Sequence, residues 1–522
     1  MSADNFSPLH YAVLQRSPEM TRLLAQHGAD LRAGLYPHGD ATNPLAIAVE
    51  RGYDDIVHII TAEEQRRRRT KIGLSAPEND ELSKAIAAGN AEQAIALMQA
   101  APALINTSSA DGWTPLHIAS AALNEQLVTW LIDHGADTER EGEGGLTPLD
   151  VAASQFRRGQ DDYPKRFTKV AGILRQRGVL LTDRAATALG DAEWIRLRHA
   201  EGGLAGAVDN GRGGLLRIAV THNRPDILTL LLNFGLDPDE RVRVVDSEPA
   251  EYSWGFPLWE CASTSKHDMA AILLERGADP NAEVYASGTP VSEAFGQRDF
   301  KMIELLKRHG GVITAGMAAL YRQTDLAKQV VAQSADPKKE AGGMLGGAAC
   351  GGDVELLRLA LDVIDWPRDD PRWFGVLEQP LRIWNHGPGH WAHHEWDRTT
   401  YLTCFRMILE RADPNIRGRG PDQGQFGLTI LHSVAGSREH MTSEERLAFS
   451  TLLLDVGARL DIRDYVLKST PLGWACRWGR VERVKLLLER GADPVEADAE
   501  PWATPRAWAE KMQRREVLAL LS

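Results

Sequence analysis

Thr114-Pro115-Leu116-His117-Ile118-Ala119 is followed, 21 residues after Thr114, by Gly135-Ala136-Asp137. The pattern recurs. Thr470-Pro471-Leu472 leads to Gly491-Ala492-Asp493-Pro494 at the same offset, Ser7-Pro8-Leu9-His10 to Gly28-Ala29-Asp30, and Phe256-Pro257-Leu258 to Gly277-Ala278-Asp279. Thr289-Pro290 reaches Gly310 after the same 21 residues, and the starts 114 and 147, like 256 and 289, lie 33 apart.

Each residue type has a local reason to be there. A Thr hydroxyl can accept from an orphan amide as an N-cap, and Pro fits the first helical position. Leu two residues on and Ala five on fall on one packing stripe. A second helix carries paired leucines (Leu231-Leu232, Leu273-Leu274, Leu487-Leu488), and the Gly after it takes the left-handed C′ conformation. One such unit cannot cover its own apolar face, so units must stack.

This period and wording resemble the ankyrin repeat, a β-turn plus two antiparallel helices, in a multi-repeat array of the bacterial type. The resemblance implies an all-α solenoid of about 15 helix-turn-helix units with β-turn fingers and several long insertions. The whole of 1–522 reads as one array: N-terminal repeats over 1–180, partly degenerate middle repeats over 181–376, and C-terminal repeats over 377–522. Spacing shrinks between 289 and 343, where the finger is expected to be lost. Insertions fall at 157–166, 238–255, 384–400 and 416–427, and the alternation in 238–255 suits a β-hairpin.

The net charge of −13 and pI near 5.7 argue against nucleic-acid or anionic-membrane binding. Cys261, Cys350, Cys404 and Cys476 are far apart and suit a reducing compartment. With a repeat starting by Ser7 and no long apolar run, the expectation is a soluble, monomeric cytoplasmic protein that needs no cofactor.

His10, His117 and His432 occupy the repeat's own histidine position and should bond neighbouring turns. Trp474 and Trp508, equivalent in consecutive repeats, should be core. The 14 Trp outnumber 11 Phe and 9 Tyr, however, and aromatic faces beside charged groups suit a binding groove. The partner-binding candidates are Trp113, Trp254, Trp259, Trp384, His386, Trp391, His394, Trp396, Arg477 and Trp478. His386, His390, His393 and His394, with Glu395 and Asp397, form the only dense cluster of potential metal ligands; His390-x-x-His393 could supply two, but without a helical His-Glu-x-x-His pattern the metal site is a weak one.

The sequence therefore points to a cytosolic recognition scaffold holding a protein or peptide in a concave groove. The alternative is an enzyme or small-molecule binder, with carbohydrate as one ligand class, whose pocket lies between the 238–255 finger and the 384–400 insertion. Hydrolase- or lyase-like acid–base chemistry on a polar substrate would there fall to Glu260, His390, His393, Glu395 or Asp397. The absence of any recognised catalytic motif favours the scaffold.

Overall fold

The computed structural model describes residues 7–31, 43–70, 77–108, 112–142, 145–154, 162–206, 214–243, 252–284, 288–381, 397–420, 426–436 and 441–521. These are mostly helical, in pairs of a short first helix and a second helix, and the fold is the ankyrin-type repeat that the sequence implies. Two compact units are present, one formed by Arg66–Val312 and the other by Met1–Gln65 with Ile313–Ser522.

The repeat motif acts as the residues suggest. At Ser7, Thr114 and Thr429 the cap side chain and the third helical residue form a capping box, and that residue is each time the histidine. The Thr114 amide donates to His117 Nδ1 at 3.1 Å, which leaves Nε2–H to donate to the Leu146 carbonyl of the next repeat at 3.1 Å. His432 repeats the arrangement with Thr429 and the Ser469 carbonyl. The imidazole is thus a staple between repeats. Second helices are capped by Asn124, Asp191, Asp299 and Asp353, each accepting from the amide three residues on.

Nine residues after most of the described repeat starts the backbone turns left-handed. Gly52 and Gly479 do this at little cost, yet Arg16, Leu123, Asn223, Ser265, Arg298 and Gln513 do so as well, with φ between 49° and 55°. Stacking therefore overrides local preference at these turns.

In the Arg66–Val312 unit, first helices pack on first helices from Pro77–Ala87 through Pro290–Gly296. The 238–255 insertion begins and ends as the expected hairpin: Val242–Arg243 pairs antiparallel with Tyr252–Ser253. Gly214 has no side chain to cap its helix. Glu240, 2% exposed, substitutes by accepting from the amides of Gly214 (2.9 Å), Leu216 (2.5 Å) and Arg217 (3.2 Å).

In the other unit, only Ser334 to Asp336 join helix Thr324–Gln333 to helix Pro337–Gly351, so no finger forms there, in line with the contracted spacing. The contraction has a packing cause. A Cβ on Gly347 would meet the Gly316 carbonyl oxygen at 2.0 Å, so helix Ala315–Leu320 and helix Pro337–Gly351 touch backbone to backbone. The first two repeats, within Met1–Gln65, belong to this unit too. Tyr11 and Leu14 pack against a cluster of Phe426, Val466, Leu467, Trp474 and Trp508. Arg51 donates to the Val466 carbonyl at 2.7 Å and stacks on Trp502, while Glu50 pairs with Lys511.

Candidate partner-binding surfaces

The Arg66–Val312 unit holds four of the sequence-derived candidates. Trp113 stands half-buried just before its capping Thr, its ring centroid 6.0 Å from that of His117. Trp254 closes the second strand of the hairpin, and the Arg241 guanidinium lies 5.9 Å from its ring centroid. With Asp237 and Asp239 these two line a cavity of about 240 Å³. Asp239 accepts from the Asp279 amide at 2.9 Å, and burial raises its carboxyl above the usual range.

Trp259 and Glu260 sit deeper. Trp259 is 7% exposed and meets Phe256 edge-on at the repeat's histidine position. Glu260 is 1% exposed; its Oε2 lies 3.6 Å from Arg217 Nε, and its Oε1 has no hydrogen-bond partner. Arg217 in turn covers the Phe256 ring at 4.1 Å. A carboxylate held this way neutralises an arginine, and is not displayed to solvent as an acid–base group would be.

The other unit holds Arg477, Trp478 and Asp397. Arg477 is 1% exposed, its guanidinium carbon 4.2 Å from the Trp508 ring centroid, and none of its three nitrogens has a hydrogen-bond partner. Burial lowers it to about 9, with Asp464 opposing. Asp464 is itself spent on structure, accepting from Trp474 Nε1 at 3.0 Å and from the amides of Val466, Leu467 and Ser469. Trp478 is half-buried beneath Arg480, 5.5 Å away. Asp397 is exposed and caps the next helix, accepting from the Thr399 amide and hydroxyl at 2.9 and 2.8 Å, bonds that lower its pKa.

Trp384, His386, His390, Trp391, His393, His394, Glu395 and Trp396 lie outside the described residues. Among the described residues no group of three or more His, Cys, Asp or Glu gathers as a metal site would require, and no helix is long and apolar enough to cross a membrane. Cys261, Cys404 and Cys476 are buried thiols whose ionisation burial suppresses.

Residues that the sequence reading missed include Tyr11, Arg51 and Tyr465. Tyr465 is 44% exposed under the Arg417 guanidinium, 4.6 Å away. Tyr11 carried a usable signal. It falls four residues after Ser7, the position that Trp474 and Trp508 hold after Thr470 and Thr504, so aligning the repeats lines up three aromatics. Nothing local marked Arg51, whose partners lie hundreds of residues away.

Comparison with known proteins agrees with this geometry. A family model described as ankyrin repeats (3 copies) matches residues 82–163 and 390–498, and a single ankyrin-repeat model matches 4–33. The chicken nuclear factor NF-kappa-B p105 subunit is 29% identical over 174 residues, 33% of this chain and 16% of that protein. The mouse B-cell lymphoma 3 protein homolog is 29% identical over 191 residues, 34% of this chain and 40% of that one. The Arabidopsis thaliana serine/threonine-protein kinase VIK is 53% identical over 62 residues, 12% of this chain and 14% of the kinase. The chain thus matches only a minor part of each relative's length. Among solved structures, the human ASB11 ankyrin repeat domain aligns at 18% identity over 45% of this chain and 99% of that one, with a TM-score of 0.25. The Bcl-3 ankyrin repeat domain aligns at 19% identity over 44% of this chain and 86% of that one, with a TM-score of 0.21. The assignment rests on the matched repeat models together with the capping boxes and histidine staples described above: the chain is an ankyrin-repeat protein.

Proposed function

We propose that this protein is a recognition scaffold, monomeric and cytoplasmic, that holds a protein or peptide along the face formed by its first helices and fingers. Ankyrin repeats generally mediate protein–protein interaction. The observation that carries the reading is the seating of Tyr11 and Leu14 against Phe426, Trp474 and Trp508. The face already accepts a helical surface, and it does so through buried aromatics ringed by arginine, the composition of interface anchors. Arg241 over Trp254 in the Arg66–Val312 unit, and Arg480 over Trp478 in the other unit, offer the same pairing on half-buried aromatics, and each favours an acidic partner. Trp113, Trp259 and Arg477 would support that face. Trp384, His386, Trp391, His394 and Trp396 remain assigned to it from sequence.

A second reading has one observation in its favour. The cavity of Asp237, Asp239, Arg241 and Trp254 combines an aromatic wall with carboxylates, as a site for a polar small molecule such as a sugar would. Acid–base chemistry there would draw on Asp239 in preference to Glu260 or Asp397, both of which are engaged in structural contacts.

The test is site-specific photo-crosslinking of the full chain in extract from its source cells. A photoreactive residue at Trp254 is compared with one at Glu304, an exposed position on second helix Phe300–Arg308. A protein adduct formed from 254, absent from 304 and lost when Arg241→Ala is added, supports the scaffold. Identical adducts from both positions, or none from 254, refute it.

A further inference from the structure

A cavity of about 220 Å³ lies where helices Ser443–Asp455 and Val481–Glu489 begin. Both are second helices of their repeats. Arg446, Arg480 and Arg483 all line this cavity, which concentrates three positive charges in a protein of net charge −13.

Arg483 is 3% exposed. Its Nη1 donates to the Val434 carbonyl and, at 3.1 Å, to that of Gly436, closing the end of helix Ile430–Ala435. Its Nη2 is buried without a hydrogen-bond partner. An unsatisfied donor on a buried cation is costly unless something else meets it. Arg446 is also nearly buried, donating to the Met441 carbonyl and, at 3.3 Å, to Ser443 Oγ. Burial, then the neighbouring charges of Arg446 and Arg480, lower Arg483 to about 8.

The backbone adds to the same field. Helix Val481–Glu489 starts at this cavity, and its N-cap, Arg480, makes no side-chain capping bond, so the carboxylate in its first turn is that of Glu482. Glu482 and Glu516 line the cavity as well, but both are exposed, where solvent screens them.

We propose that this cavity is an oxyanion site for a phosphate-class dianion, gripped by Arg446, Arg480 and Arg483 at the start of helix Val481–Glu489. The guanidinium fork matches tetrahedral oxyanions, and a dianion would satisfy Arg483 Nη2 while relieving the mutual repulsion of the three cations. Two sources share this chemistry: free phosphate, and a phosphorylated side chain of another protein.

Inorganic phosphate is titrated into the full-length protein at constant ionic strength, with sodium chloride as the control, reading the melting temperature and phosphorus NMR line width. Arg480→Gln is the working variant, because Arg480 makes no capping bond, whereas Arg483 closes a helix end and its replacement could unfold the repeat. We expect phosphate to raise the melting temperature beyond the chloride control, and Arg480→Gln to weaken binding about 10- to 100-fold, as loss of one charge-assisted bond implies. A phosphoserine peptide is titrated in parallel. Binding tighter than phosphate, lost in the same variant, identifies a modified protein as the source; weaker binding identifies the free ion. Stabilisation equal to that in chloride, or undiminished in Arg480→Gln, overturns the site.

Discussion

The Arg477 guanidinium lies over the Trp508 indole, its carbon 4.2 Å from the ring centroid, and donates no hydrogen bond in return for its burial. A desolvated cation–π contact contributes about 2 kcal/mol, whereas removing an ion from water costs several kcal/mol. The position is therefore a net cost to folding, as expected where a side chain is retained for what it meets.

Arg477→Met keeps the length and the packing on Trp508 while removing the charge. We expect it to stabilise the protein by about 1–3 kcal/mol in urea unfolding, since unpaired buried charges are commonly improved by apolar replacements. A loss of stability of similar size would mean that Arg477 has a structural partner.

Neighbouring glycines of helix Pro337–Gly351 should respond in opposite directions to the same change. Gly346→Ala adds a methyl into open space within a helix and should stabilise by about 0.5–1 kcal/mol. Gly347→Ala drives its methyl into the Gly316 carbonyl and should destabilise by about 3 kcal/mol or more. Equal effects in thermal unfolding would contradict the backbone contact.

Gly277, Gly310 and Gly491 have φ of 90°, 93° and 92° with nothing near a would-be Cβ. Replacement by Val should then cost backbone strain alone, roughly 1–2 kcal/mol at each site. Wild-type stability at all three would place the helix ends elsewhere.

What the sequence made legible was local. Thr-Pro-Leu-His predicts the capping box and the staple because all its bonds run within three residues or to the adjacent turn, and Gly after Leu-Leu predicts the left-handed stop. The substitute cap on Gly214 was not legible, because Glu240 comes from 26 residues away. The convergence of Arg446, Arg480 and Arg483 was hidden for a similar reason: stacking, not spacing, brings them together. For the site, the repeat pattern identified Trp478 and Trp254 as positions of interest but could not tell that Trp259 and Arg477 are buried, since burial there depends on what covers the face.

Acid should weaken the fold through its histidines. His432, stapled to Thr429 and Ser469, is lowered to about 3 by burial, and His222, packed between Tyr163 and Phe167, to about 4. Both lie below the ordinary value of 6.5, so between those limits the unfolded chain binds more protons. Stability is complete above pH 6.5 and falls as pH drops towards the folded values, by about 2 kcal/mol per histidine at pH 5. Urea unfolding at pH 7 and pH 5 checks this: His432→Gln should be less stable at pH 7 yet lose less between the two. An unchanged pH slope would show that the imidazole is not held neutral.

Once a partner is captured through position 254, its affinity for two double variants tests the recognition reading most directly. Arg241→Ala with Trp254→Ala removes an aromatic–arginine pair from the finger; Glu304→Ala with Lys307→Ala alters only the exposed second helix. The account predicts binding weakened about 30-fold or more by the finger variant, as for loss of an interface anchor, with melting temperatures unchanged and the second-helix variant binding as wild type. Wild-type affinity in the finger variant, with loss in the second-helix variant, would contradict it.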